Sequence, residues 1–312
     1  MTMLDRNKVH FMDVLDGMKK IEDSSADVVL IDPPYNIGKD FGTNKCKLEM
    51  KEYVEWSKKW MKEAQRIVKD SGTVYIYGFS EILAHLSVNL ELEHRWLIWH
   101  YTNKTVPSSR FWQRSHESII VAWKTKDRTF NRDDVREPYT ETYIKGYSAE
   151  SLAKEGKKPR TRPVTEGRFQ GKNKTTYKVN DKGALPRDVI KVSALAGGAG
   201  ASQRWFLCRD CDKVFPPSSW RKHKKEHKDH ETIRHPTQKP YELTKRLLLA
   251  AKPKENGLVV IPFIGSGAEA LVASDVGMDF VGFEINPEYK RLAEESVAEN
   301  MQIKLAQTAK TG

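Results

Sequence analysis

Three observations predict an α/β fold, a mainly parallel sheet with helices on both faces. Short apolar runs alternate with segments of helical period along most of the chain. The apolar run 28–31 ends directly in Asp32, which places an acid at the carboxyl end of a buried strand. The run 259–262 leads into a glycine turn at Phe263, Gly265, Ser266 and Gly267 and then into a helix. Open α/β sheets bind ligands at the carboxyl ends of their strands. Both corners are therefore candidate sites.

Taken in order, residues 8–15 read as a short strand and turn with Asp13 near its end, and 16–22 as a helix. The strand 27–31 opens into Asp32, Pro33, Pro34 and Tyr35. Two prolines fix the backbone and remove two N–H donors, so carbonyls near Asp32 and Pro33 are free to face a substrate. Tyr35 adds a flat ring. An acceptor carboxylate, an acceptor carbonyl and a stacking ring suit a planar base with an exocyclic amine. The same residues also fit a Pro-Pro turn with Asp32 as its cap. Residues 51–69 repeat apolar side chains at helical spacing, and Lys69-Asp70-Ser71-Gly72 is expected to end that helix. Strands are predicted at 73–77, 96–101 and 118–123, with a helix at 82–90.

From Thr125 to about Lys191 the periodicity fails. Basic residues such as Lys154, Arg162, Lys172 and Lys182 meet few acids there, with Phe169 and Tyr177 interleaved. A solvated loop fits, and so does a small subdomain that follows a phosphate backbone. The glycine-rich stretch 197–200 is expected to be a hinge. Further on, a helix is expected from Tyr241 to Ala251, a strand at 280–284, a helix at 289–299 and a frayed tail over 301–312.

The net charge is +11 over 312 residues, which favours a polyanionic partner. The three cysteines are Cys46, Cys208 and Cys211. An odd number with one close pair argues against a disulfide framework and for a reducing compartment with a metal pair. No apolar run is long enough to span a bilayer, and the N-terminus has no signal core. A soluble, cytoplasmic protein is expected.

Cys208 and Cys211 are followed by His223, His227 and His230. Two thiolates and two imidazoles suit tetrahedral Zn2+, and His223 and His227 would share a helix face at i, i+4. His230 is the alternative to His227 as the fourth ligand. The spacing resembles a Cys2His2 zinc finger with one residue missing between the second cysteine and the first histidine. Two unrelated thiols beside a basic helix would also fit. Arg221, Lys222, Lys224, Lys225 and Lys228 suit phosphate contact, although a purely structural finger fits equally.

Strand, glycine turn, helix, strand and acid form the grammar of a nucleoside-binding βαβ unit. Gly265 and Gly267 let the backbone approach a ligand, and Glu284 can accept from ribose hydroxyls. Ala270 replaces the third glycine of a dinucleotide fingerprint. The turn offers too few donors for a diphosphate, which favours S-adenosylmethionine over NAD.

Five segments in this order resemble the β-class amino-DNA methyltransferases. They are Asp32-Pro-Pro-Tyr35, His116-Glu117 with Ile119, Ala122 and Lys124, His235-Pro-Thr-Gln-Lys-Pro240, Phe263 with Gly265-Ser-Gly267, and Glu284 with Asn286, Pro287 and Tyr289. Ile261 and Pro262 stand where the family usually has Asp-Pro, and most members lack the finger-like insertion.

The resemblance implies a Rossmann-like methyltransferase fold with circularly permuted motifs. The catalytic half would cover 1–124, target recognition 125–190, a return to the core 191–204, the zinc-finger-like insertion 205–232, the cofactor half 233–300 and the tail 301–312. It implies methyl transfer from S-adenosylmethionine to adenine N6 in double-stranded DNA, with the base flipped out. Asp32 and the Pro33 carbonyl would hold the amine, with Pro34 completing the turn and Tyr35 stacking on the base. Asp13, Asp32, Thr237, Lys239, Phe263, Gly265, Ser266, Gly267, Glu284 and Asn286 would contact the cofactor. Cytosine N4, an RNA or protein amide substrate, and a zinc-finger DNA-binding protein on an inactive scaffold are the alternatives. A homodimer and a cognate restriction endonuclease remain open as partners.

Overall fold

The computed structural model describes residues 4–37, 48–103, 108–158, 161–166, 169–176, 179–196 and 202–311. Cys46, the 197–200 hinge and Tyr177 lie outside them. The chain divides into two compact units, residues 1–130 with 188–312, and Asn131–Arg187. Among the described residues no helix is long and apolar enough to cross a membrane.

The larger unit is built on an eight-stranded sheet. Its strands are β1 (Lys8–Phe11), β2 (Ala26–Ile31), β3 (Val68–Gly78), β4 (Glu93–His100), β5 (His116–Trp123), β8 (Val189–Lys191), β12 (Leu258–Ile261) and β13 (Asp279–Glu284). They lie in the order β1-β13-β12-β2-β3-β5-β4-β8. Only β5 runs against its neighbours, pairing antiparallel with both β3 and β4. The other pairings are parallel.

Strand alternation divides the core. Val28 and Leu30 of β2 face one cluster with Leu243, Leu247, Ala270 and Ala293. Val29 and Ile31 face the other with Met18, Trp60, Met61 and Leu83. The first face is covered by α7 (Tyr241–Ala251), α8 (Ala268–Asp275) and α9 (Pro287–Thr311). The second is covered by α1 (Val14–Met18), α2 (Met50–Ile67) and α3 (Ser80–Ser87). Both clusters exclude water, so every residue of β2 is buried.

Two elements differ from the sequence reading. β3 begins at Val68, so 69–72 belong to a strand and not to a helix stop. The register with β2 shifts between Ala26/Val68 and Val28/Thr73, which accommodates those residues as an irregularity. The expected frayed tail is instead part of α9, which continues to Thr311.

The smaller unit holds α4 (Glu141–Tyr147), α5 (Ala149–Lys154) and the hairpin of β6 (Thr161–Glu166) and β7 (Phe169–Thr176). Tyr139, Tyr143 and Tyr147 stack in series, with ring centroids 4.7 and 4.6 Å apart.

Candidate active site

The parallel pairing of β1, β13, β12, β2 and β3 brings their carboxyl ends to one edge. β2 continues through α2 to β3 on one side, and β12 continues through α8 to β13 on the other. The crevice at such a reversal is where ligands bind in open α/β sheets. A cleft opens there, lined by Asp13, Asp32, Pro33, Pro34, Thr237, Phe263, Gly265 and Glu284. The two corners singled out in the sequence therefore share one cavity. Trp56, His235 and Tyr289 complete its walls. Trp56 reads in the sequence as an ordinary core position of an amphipathic helix. Only its edge contact with Phe263, at 5.8 Å between ring centroids, shows that it also walls the cleft.

Asp32 is held on one side only. Its Oδ2 accepts from Lys239 Nζ at 2.5 Å. Among the described residues its buried Oδ1 has no hydrogen-bond partner. A buried acceptor without a partner is costly unless a ligand supplies the donor. The Pro34 carbonyl accepts from the Tyr53 hydroxyl at 2.8 Å, which fixes the turn.

Tyr35, expected to stack on the base, lies beside Asp32 with its ring packed into the core. It is buried, its hydroxyl donates to Glu117 at 3.3 Å, and its ring meets Phe79 edge-on at 5.1 Å. Burial first, and then the charges of Asp32 and Glu117, push its phenol pKa well up.

On the cofactor side, Glu284 Oε2 accepts from Gly265 N at 3.0 Å, and Oε1 accepts from Ile285 N and Asn286 N at 2.9 and 2.8 Å. These bonds tie the glycine turn to the end of β13 and fix the carboxylate at the cleft. Burial raises the Glu284 pKa, partly opposed by those donors. Gly265 has φ +51°, and a Cβ there would lie 2.7 Å from His235 Nε2. The turn thus leaves no room for a side chain at the cleft wall.

Asp13 caps α1, accepting from Leu15 N at 2.9 Å, and lines the same cleft. The chemistry of this set, an aromatic wall with a carboxylate on either side of a side-chain-free turn, fits a nucleoside carrying an uncharged ribose.

Four expected cofactor contacts lie elsewhere. Asn286 Oδ1 accepts from Glu288 N and Tyr289 N, so this side chain caps α9. Ser266 is buried behind the cleft, and Gly267, at φ +78°, starts α8 against Ala293. Lys239 is 2 % exposed and turns to Asp32. Its partner lies 207 positions away, which no local pattern reveals.

The finger-like insertion folds onto the larger unit. β9 (Phe206–Cys208) pairs with β10 (Lys213–Phe215) and β11 (Thr232–Ile233), and α6 (Pro217–Glu226) packs beside them. Cys208, Cys211, His223 and His230 bring one ligand atom each to within 4.8 Å of one another. His230 Nδ1 lies 3.5 Å from Cys208 Sγ and 3.3 Å from Cys211 Sγ. His227 is not in this group, because α6 ends at Glu226. At φ −130° His227 leaves the helix face it was expected to share with His223.

A family model described as DNA methylase, of the N6/N4 methyltransferase type, matches residues 26–295. The type II methyltransferase M.HpaI of Haemophilus parainfluenzae is 27 % identical over 285 residues, covering 89 % of this chain and 70 % of that protein. M1.MboII of Moraxella bovis is 27 % identical over 296 residues, covering 92 % and 95 %. The solved PvuII cytosine-N4-specific DNA methyltransferase has the same fold, with a TM-score of 0.58 at 15 % identity over 96 % of this chain and 92 % of that one. TTHA0409 of Thermus thermophilus, solved with S-adenosyl-L-methionine, matches at a TM-score of 0.53 and 15 % identity over 94 % and 93 %. With a cleft that joins the Asp32 corner to the glycine turn, and a family match over most of its length, the chain belongs to the N6/N4 DNA methylases.

Proposed function

We propose that this protein methylates the N6 amine of adenine in double-stranded DNA, using S-adenosylmethionine. The observation that carries the reading is the Oδ1 of Asp32, without a partner among the described residues, in the same cleft as Gly265 and Glu284. S-adenosylmethionine bound there would supply an electrophilic methyl group. Glu284 would hold the ribose, Asp13 the adenine end, and Phe263, Gly265 and Thr237 the methionine end. Ser266, Gly267 and Asn286 would shape the turn and helix start behind them.

An aromatic amine is a weak nucleophile because its lone pair is shared with the ring. Asp32 Oδ1 and the Pro33 carbonyl would accept its two N–H bonds, which favours a tetrahedral nitrogen with its lone pair turned toward the methyl. The protein's contribution is position and electrostatics. Pro34 and Tyr35 would support the flipped base from behind, with Tyr35 held by Glu117.

The resemblance to the amino-DNA methyltransferases favours adenine over cytosine, because Asp32 and not a serine precedes Pro-Pro-Tyr. The relative YhdJ of Escherichia coli, 26 % identical over 285 residues, is named a DNA adenine methyltransferase. The test is transfer of a labelled methyl group to duplex DNA followed by nucleoside analysis. Label in N6-methyladenine is expected. Label in N4-methylcytosine would redirect the base assignment, and no transfer to DNA would overturn the reading.

We propose also that Cys208, Cys211, His223 and His230 hold one zinc ion per chain. Tetrahedral zinc with ordinary bond lengths holds S and N ligands roughly 3.6 Å apart. The Cys211 Sγ to His223 Nε2 and His230 Nδ1 separations of 3.9 and 3.3 Å bracket that value. Such an ion would cross-link the ends of the insertion, whose Trp205, Leu207 and Val214 pack with Leu292 of α9.

A further inference from the structure

We propose that Lys239 is a positioning residue for the Asp32 carboxylate, holding it turned so that Oδ1 faces the target amine. This rests on reading the cleft as a methyltransferase site. It departs from the cofactor-binding role that the family resemblance implies for this lysine.

The geometry carries the assignment. Lys239 Nζ donates to Asp32 Oδ2 at 2.5 Å and to the Thr237 carbonyl at 3.2 Å. The rings of Tyr35 and Tyr77 lie 5.3 and 5.1 Å from the ammonium, within cation–π range. The charge is thus enclosed by one carboxylate, one carbonyl and two aromatic rings, and Lys239 is not among the residues lining the cleft. Two of its three N–H donors are committed inside that cage.

The pair also explains the orientation of Asp32. Its side chain is only 12 % exposed, and a buried carboxylate is costly unless it is paired and hydrogen-bonded. Lys239 supplies the cation and fixes one oxygen, which leaves the other as an acceptor of set direction.

The other charged groups near the pair are consistent with this. Glu117 is held by the hydroxyls of Tyr35 and Tyr101, at 3.3 and 3.4 Å. Burial first, and then the Asp32 charge, push the Glu269 pKa up to about 7. Glu269 therefore holds its proton more tightly than an exposed glutamate does. Burial alone would lower the Lys239 pKa, but the nearby carboxylates outweigh it and raise the value.

The experiment compares Lys239→Met and Lys239→Gln with wild type. Methyl transfer to duplex DNA is followed at saturating S-adenosylmethionine, and cofactor affinity is measured separately by calorimetry. Removing one preorganised electrostatic partner commonly costs about 100-fold or more in turnover. A loss of about that size is expected for Lys239→Met, with the cofactor Kd within about threefold of wild type. Lys239→Gln, which keeps a donor but no charge, is expected to fall between the two; it also serves if the methionine variant does not fold. Turnover within about threefold of wild type in either folded variant overturns the proposal. So does a cofactor Kd that rises about tenfold with kcat unchanged, which would return Lys239 to the cofactor. An inactive wild type would instead overturn the methyltransferase reading itself.

Discussion

Glu269 is 5 % exposed beneath the cleft and interacts with both Asp32 and Lys239. Its carboxyl titrates near the ordinary value of 4.5 when unfolded and near about 7 when folded. Between those values the folded chain keeps a proton that the unfolded chain has released. The stability from this group is therefore full below pH 4.5 and is lost as pH rises through about 7. Glu269→Gln removes that dependence, so its stability advantage over wild type is expected to widen as pH rises across this window. Urea unfolding at several pH values measures it, and parallel curves for the two proteins would count against the buried-acid description. Single residues are legible where chemistry meets pattern. Asp32 and Glu284 stand out because each is an acid that directly follows an apolar run. The roles of Lys239 and Glu269 do not, because a lysine or glutamate in a sequence reads as surface until a distant partner buries it. Asn286 and Tyr35 stand out too, and the structure adds what the pattern does not show: Asn286 caps a helix and Tyr35 is buried against Glu117.

The elements show where local pattern gives way to packing. The helical period places α2 to within two residues, because Tyr53, Trp60, Met61 and Ala64 form one buried face. The start of β3 escapes the pattern because its polar residues 69–72 sit in the irregular part of its pairing with β2. In the insertion, a histidine pair at i, i+4 points to His227, but the helix stops one residue too early. His230 instead lies on the return toward β11, facing both cysteines. His230→Ala is accordingly expected to lose the zinc, whereas His227→Ala keeps one ion per chain. Metal analysis of both variants, purified without chelator, decides it, and the reverse pattern would restore His227 as the ligand. The insertion is also tied to α9 by charge. Arg209 makes two bonds to Glu288, at 2.8 and 2.9 Å, and Arg291 pairs with Asp212. Such contacts between an insertion and the helix behind the cofactor wall leave no trace in either segment's periodicity.

Across the whole molecule, the alternation of strands and helices is enough for the fold class. The strand order is not legible, because parallel register is set by crossovers and core volume rather than by any one strand's composition. The reversed β5 is a case in point, since its apolar run resembles those of its parallel neighbours. Net charge acts at this scale too. With +11 on the chain, and Arg221, Lys222, Lys224 and Lys225 exposed on α6, binding to duplex DNA is expected to weaken steeply with salt. A drop of at least ~10-fold between about 50 and about 200 mM salt would fit several phosphate contacts. A flat salt response would remove the electrostatic part of the reading.

The shared cleft makes the sharpest demand, and Asp32→Ala tests it. The variant should bind S-adenosylmethionine within about threefold of wild type while losing methyl transfer to DNA by about 100-fold or more. Transfer at the wild-type rate would contradict a catalytic role for the acid at the end of β2.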